Sequence, residues 1–452
     1  MRILLLQPPL EDFYTTPIRL YPLGLLYVAA VLSRAGHEVT LVDALSPLKK
    51  RTLALPTNLG HLRPFIDSAP HFFRNYYRFG REDESLLEEM AAWRPEAVGI
   101  ASQFTAYYKN IHELAPRIKQ RLGCAVFIGG HHATAFAAEC LERTPALDGV
   151  CIGPAETGLG HLVPGQMAAL VGEQIDWRTL TPAHDLADPA LYRIGRTPYA
   201  SLQCSRGCPQ GCDFCGVANM FGRAMTWRPV ENVLEEMRGL YRRGVRLFNF
   251  EDDNLTVRRT WFQDLLQGIR ADSRLAGIEL TAMNGLAYPT LDGEILTLMK
   301  QAGFRRINLS FVTRDVALRQ DYHRPHQGEA LETVVRKAQQ LGLMVTVYLI
   351  IGLPGQSFAE IRASVDHLLD LGVLVGPSIF YIPPASPLYE RLELPPATRA
   401  DWDLYRSTAF AVESAELPRA RLVELFSYIR AENLRRLPPP PLEKKLLAPD
   451  SL

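Results

Sequence analysis

The chain has no uninterrupted apolar run near the roughly 18 residues that a membrane-crossing helix needs. Its opening stretch, Met1-Arg2-Ile3-Leu4-Leu5-Leu6-Gln7-Pro8-Pro9, is too short an apolar run for the core of a secretory signal. An excess of either charge is also missing: Lys plus Arg and Asp plus Glu number 49 each, so no global field favours nucleic acid or an anionic lipid surface. Nor is there a disulfide framework, because the chain of 452 residues holds only seven cysteines and four of them crowd between Cys204 and Cys215. These absences predict a cytoplasmic protein with no transmembrane segment and no nucleic-acid partner, and they leave metal or redox chemistry to one short stretch. What is present is an ordinary globular composition, 47% hydrophobic and 22% charged, long enough for two or three packed domains. Cys124, Cys140 and Cys151 stand among apolar neighbours and are expected to be core thiols.

From residue 2 to about 155, short apolar runs alternate with helical periodicity. Ile3 to Leu6, Glu38 to Val42, Ala97 to Ala101, Ala125 to Ile128 and Gly149 to Ile152 read as strands of a parallel α/β domain, spanning 1–155. Between the first two, residues 22 to 32 have helical spacing and end at Ala35-Gly36-His37, where Gly36 suits a C-cap. Ligands of such sheets bind at the carboxyl ends of the strands. The stretch from 46 to 83 is expected to be irregular, its aromatics either packing on a neighbouring domain or walling a substrate site. Residues 156–195 read as a linker.

A second series spans 196–390. Its candidate strands are Tyr199 to Gln203, Leu247 to Glu251, Ile278 to Met283, Arg306 to Phe311, Met344 to Ile350 and Ser378 to Ile382, with helices between them, and the even spacing predicts a partial (β/α)6 barrel. Residues 391–452 are expected to be helical, notably Arg419 to Arg436, before an extended tail from Pro438.

Immediately after the first barrel strand comes Cys204-Ser-Arg-Gly-Cys208-Pro-Gln-Gly-Cys212-Asp-Phe-Cys215. Three thiolates on one loop can wrap one face of an iron–sulfur cube and leave its fourth iron without a protein ligand. A structural zinc site using Cys204 as fourth ligand is the plainer alternative, although such sites usually bring together two separated ligand pairs. The Cys208-x3-Cys212-x2-Cys215 spacing, with Phe214 before the last cysteine, resembles the signature of radical S-adenosylmethionine (SAM) enzymes. That resemblance implies a [4Fe-4S] cluster on the three cysteines, chelation of SAM by the open iron, and reductive cleavage to a 5′-deoxyadenosyl radical. It also implies SAM contacts from Phe214, from Glu251, Asp252 and Asp253 at the end of the second strand, and from Gly352 in Ile350-Ile351-Gly352-Leu353-Pro354. Ser310 is the polar candidate after the fourth strand, where Leu309-Ser310-Phe311 replaces the more usual Gly-x-Glu-Ser. Taken alone, Asp252 or Asp253 could equally cap a turn.

The first domain resembles the cobalamin-binding domain attached to many radical SAM enzymes. The resemblance implies a Rossmann-like fold with cobalamin contacts from Pro8 and Pro9, from Gln103, from Gly129, Gly130, His131, His132 and Thr134, and from Gly153 and Glu156. No Asp-x-His-x-x-Gly sequence occurs, so the resemblance names no cobalt ligand. Taken together, the two resemblances imply an enzyme that methylates an unactivated carbon through cobalamin. A cyclase or rearrangement enzyme without methyl transfer, and a non-catalytic cobalamin or iron–sulfur sensor, are the alternatives. The partners implied are a small-molecule, lipid or peptide substrate and a low-potential electron donor such as a flavodoxin or ferredoxin.

Overall fold

The computed structural model describes residues 1–14, 21–66, 72–159, 162–163, 175–324 and 328–436. In the first domain the strands are, in chain order, β1 (Arg2–Gln7), β2 (Leu10–Asp12), β3 (Glu38–Asp43), β4 (Lys50–Leu53), β5 (Tyr76–Phe79), β6 (Ala97–Ala101), β7 (Ala125–Gly129), β8 (Gly149–Cys151) and β9 (Leu162–Val163). The central sheet has the order β3-β1-β6-β7-β8-β9, parallel except for β9 at the edge. In β1 the four residues Ile3 to Leu6 are all buried, as a strand covered on both faces requires. The strand order reverses between β1 and β6, since successive connections leave β1 toward opposite edges of the sheet, and this creates a crevice beyond their carboxyl ends, the place where doubly wound sheets bind ligands. The helix Leu23–Arg34 packs on this sheet and stops before Gly36, whose φ is 85°.

The expected irregularity of 46 to 83 is corrected by a three-stranded antiparallel sheet, β2-β5-β4. Its aromatics serve packing: Phe72 lies 5.6 Å from Phe410, and Phe73 lies 5.2 Å from Phe426 on the C-terminal helix Arg419–Arg436.

The second domain adds β10 (Arg193–Ile194), β11 (Thr197–Leu202), β12 (Ser205–Arg206), β13 (Thr226–Trp227), β14 (Leu247–Phe250), β15 (Glu279–Thr281), β16 (Arg306–Phe311), β17 (Met344–Ile351) and β18 (Leu374–Ile379). Strands β11, β14 and β15 form one parallel run and β16, β17 and β18 another. Two isolated parallel bridges, Leu280 to Phe304 and Leu286 to Leu309, join the runs into a six-stranded partial barrel. Along β17, Val345, Val347, Leu349 and Ile351 are buried, and all four belong to the core that includes the helix residues Val334, Val335, Ile361 and Val365. Thr346, Tyr348 and Ile350 alternate with them and are only half-buried, so the lumen is hollow rather than filled.

The sixth strand begins four residues earlier than the expected Ser378 to Ile382. Pro377 is accommodated within it because β18 is an edge, where the missing N–H costs no ladder bond. The expected tail from Pro438 lies outside the described residues.

Candidate functional site

The carboxyl ends of the first domain's strands face the carboxyl ends of the barrel strands. Between them lies a cavity of about 750 Å³, lined from one side by Gln7, Ser102, Gly130 and Gly153 and from the other by Phe214, Glu251, Asp253 and Phe380. A smaller pocket of about 360 Å³ adjoins it, and Cys215 lines both.

Cys208, Cys212 and Cys215 all line the smaller pocket. The loop can take this path because Gly207, at φ 88°, lies against the carbonyl of Ala224, which a side chain would strike. Gly207 N–H donates to Asp253 at 3.3 Å, and Leu388 N–H donates to the carbonyl of Asp213 at 2.9 Å, so both ends of the loop are tethered. Around the thiols, Arg324 reaches Cys212 Sγ at 3.4 Å and Asn254 Nδ2 reaches Cys208 Sγ at 3.7 Å, while Asn254 Oδ1 is buried with no partner. Burial raises the Cys208 thiol and pushes Cys215 up to about 11, so a positive centre is needed before these sulfurs become thiolates. Among the described residues no three His, Cys, Asp or Glu side chains converge on a point that one metal ion could fill. Thiols spread around a pocket of this size fit a polynuclear cluster and not a lone zinc ion. Cys204, the fourth ligand a zinc site would require, is fully buried elsewhere, its carbonyl accepting from Arg228 N–H at 2.9 Å.

The residues expected to meet SAM divide. Glu251, Asp253 and Phe214 line the cavity. Glu251 accepts from Asn249 Nδ2 at 2.5 Å, which fixes its carboxylate. Asp252 is turned away. It is buried and accepts from the N–H groups of Cys204 at 3.1 Å and Ser205 at 2.5 Å and from the Ser205 hydroxyl at 2.5 Å. Burial raises its carboxyl to about 6, and its role is to pin the start of the cysteine loop. Ser310 accepts from Arg324 at 2.6 Å and donates to the Leu286 carbonyl at 3.3 Å, which occupies it within the barrel. Gly352, at φ 90°, is covered by Leu422, and its N–H donates to Gln356 Oε1 at 2.9 Å. Neither Ser310 nor Gly352 lines the cavity.

The expected cobalamin residues divide as well. Gln103, Gly129, Gly130, His131, Gly153 and Glu156 line the cavity. At Gly24 and Gly153 an added Cβ would meet nothing within 4 Å, so side chains there would project into the cavity that glycine leaves open for a bulky cofactor. Pro9 instead packs against Gly80, and Thr134 accepts from Gly153 N–H at 3.0 Å, bracing the turn behind the cavity wall. Pro8, likewise, does not line the cavity.

Although one edge of His132 reaches the cavity, it is a core residue. Its ring packs 4.6 Å from Trp402 and 4.8 Å from Tyr108, with Nδ1 3.0 Å from Thr105 Oγ1 and Nε2 3.4 Å from Cys140 Sγ. Burial lowers its pKa to about 3, so the ring is neutral and both nitrogens are engaged. Glu156 is committed to a bidentate ion pair with Arg206, both contacts at 3.0 Å.

Sequence reasoning missed Arg206, although it stands two residues before Cys208. It also missed a buried chain in which Tyr21 Oη lies 2.6 Å from His184 Nδ1, and His184 Nε2 lies 2.8 Å from Glu236, which also holds Arg228. His184 falls within the stretch expected to be a linker, and its neighbours in sequence carry no motif that announces these partners.

The comparisons agree with this arrangement. Residues 202–368 match the radical SAM superfamily and residues 73–163 match the B12 binding domain. Cytidylyl-2-hydroxyethylphosphonate methyltransferase from Streptomyces wedmorensis is 26% identical over 82% of this chain and 77% of that protein. Bacteriochlorophyllide d C-12(1)-methyltransferase from Chlorobaculum tepidum is 25% identical over 78% of this chain and 77% of that protein. The fold matches the radical SAM methyltransferase TsrM from Kitasatospora setae, solved with cobalamin and a [4Fe-4S] cluster, at a TM-score of 0.67 and 16% identity over 98% of this chain and 94% of that one. With the three cysteines beside an open pocket and a glycine-walled cavity at the facing strand ends, the chain is a cobalamin-dependent enzyme of the radical SAM superfamily, with an iron–sulfur cluster, SAM and cobalamin as its cofactors.

Proposed function

We propose that the protein methylates an unactivated carbon of a small molecule, lipid or peptide held between its two domains. The observation that carries this reading is a single cavity bordered on one side by the cysteine loop and on the other by the glycine turns of the first domain. When bound, the cluster and SAM supply a radical that abstracts hydrogen, and cobalamin supplies the methyl group. The chain's own residues bind and order these groups. Cys208, Cys212 and Cys215 would hold the cluster, and the carboxylates of Glu251 and Asp253 suit the ammonium of SAM. Gln103, Gly130 and Gly153 would border cobalamin. Phe104, Phe221, Phe380 and Tyr381 wall the space between and exclude water from reactive intermediates.

The names of the two curated relatives favour methyl transfer over cyclisation. The reducing electron would come from an acidic low-potential protein. Arg223 on the rim of the cysteine pocket, Arg324 at the Cys212 sulfur and the exposed Arg391, which pairs with the buried Asp213, give that donor a basic landing face.

Anaerobic reconstitution with iron, sulfide and hydroxocobalamin tests the reading. About four irons and one cobalamin per chain are expected after desalting. Reduction with SAM should then yield 5′-deoxyadenosine, together with S-adenosylhomocysteine that forms only when cobalamin is present. Deoxyadenosine without S-adenosylhomocysteine would favour a cyclase or rearrangement, and bound cofactors without SAM turnover would mark a sensor.

A further inference from the structure

The ion pair between Arg206 and Glu156 joins the two halves of the site. Arg206 lies on β12, within the loop that carries the cysteines, and Glu156 lies in the turn after β8 that begins at Gly153. Their side chains are 8% and 3% exposed, and both line the cavity wall. The two Nη atoms of Arg206 meet the two carboxylate oxygens of Glu156, and its Nε donates to Gln203 Oε1 at 2.8 Å. Three rings close around the guanidinium: Tyr27 at 4.9 Å from the helix Leu23–Arg34, Trp177 at 4.4 Å from the segment between the domains, and Phe221 at 5.1 Å from the helix Val217–Phe221 that follows Cys215.

One guanidinium thus joins the start of the cysteine loop and the helix after Cys215 to the turn after β8, the helix Leu23–Arg34 and the segment between the domains. A bidentate fork matches its carboxylate in one relative orientation, and a buried pair of this kind is better suited to fixing register than to adding stability. Removing either partner leaves the other charge enclosed, so the two loops cannot drift apart independently.

We propose that Glu156 and Arg206 are positioning residues that couple the two cofactor sites, so that ordering the cysteine loop around a cluster tightens the first domain's grip on cobalamin. The inference rests on the cofactor reading above and adds the coupling between sites. Linkage makes the effect reciprocal: cobalamin would stabilise the cluster-bearing loop by the same factor.

The test is an absorbance titration with hydroxocobalamin, on the full chain, before and after cluster reconstitution. In the wild type the dissociation constant should fall at least about fivefold on reconstitution, the lower end of ordinary coupling. Glu156→Gln, which removes the charge and keeps the shape, should bring that ratio close to one. The exchanged pair Glu156→Arg with Arg206→Glu should restore much of it. Arg206→Lys keeps the charge without the fork, should give an intermediate ratio, and carries the test if Glu156→Gln loads poorly. A wild type that binds no cobalamin overturns the cofactor reading and the coupling with it. A wild type that binds equally well with and without the cluster, or a Glu156→Gln protein that keeps the full ratio, overturns the coupling alone.

Discussion

His131 and His132 are neighbours on one turn, yet only the second is locked into the core, among Trp402, Tyr108 and Phe136. The same division separates Asp252, which pins the cysteine loop, from Asp253, which faces the cavity. Adjacent side chains at a strand end diverge, so a motif can locate the turn without saying which residue faces the ligand. The division gives two predictions. Asp253→Asn should weaken SAM binding by about tenfold, the loss of one charge-assisted contact, and shift the melting temperature little in calorimetry, because an amide oxygen can still accept from Gly207 N–H. Asp252→Asn should cost about 1–3 kcal/mol of stability, because buried N–H and O–H donors lose an acceptor. For His132 the sign follows from its lowered pKa. The folded ring resists a proton that the unfolded ring accepts, so its contribution is complete above the unfolded pKa and is lost as pH falls toward about 3. Urea midpoints should show the wild type losing about 1.4 kcal/mol per pH unit relative to His132→Gln in that window.

At the scale of elements, the turn after β17 shows how a segment far away in sequence finishes a site. Gly352 sits at φ 90°, where a Cβ would meet Leu422 Cδ2 at 3.0 Å. Leu422 belongs to the C-terminal helix, which also reaches β18 through Asn433, whose Oδ1 accepts from Val375 N–H at 3.1 Å and whose Nδ2 donates to its carbonyl at 2.7 Å. Gly352→Ala should therefore destabilise the chain by about 1–3 kcal/mol through backbone strain, beyond any contact with Leu422. Adding Leu422→Ala removes the contact but not the strain, so a double-mutant cycle by denaturant titration should show only partial rescue. The barrel strands and the helices between them were legible because each apolar run and amphipathic period is local. The sheet β2-β5-β4 was not. Its strands are only three or four residues long, and β2 pairs with a partner more than sixty residues away. Composition alone made that stretch look like a loop.

At the scale of the molecule, the cysteine motif and the strand-end glycines were each readable, but the way the two domains face each other was not, since it depends on contacts with no sequence signature. Arg406 is the clearest of these. It is fully buried, it donates to the carbonyls of Glu11 at 2.6 Å and Ala106 at 2.7 Å, and with Asp403 at 2.8 Å it ties the chain's last third back onto the first domain. This closure walls the cavity with the first domain and leaves the cysteine pocket's outer rim for an electron donor. Around that pocket Arg223, Arg324 and Arg391 outnumber Glu390 and Asp213, so approach of an acidic protein should be steered by charge. Surface charges are screened beyond about 8 Å at physiological ionic strength. Stopped-flow reduction of the reconstituted cluster by an acidic flavodoxin should therefore slow by at least about tenfold between low and high salt. Arg223→Glu should slow it at low salt to a similar degree. Dithionite, small enough to enter without docking, should reduce wild type and variant at rates that differ little. A flavodoxin rate indifferent to both salt and Arg223 would place the donor on another face.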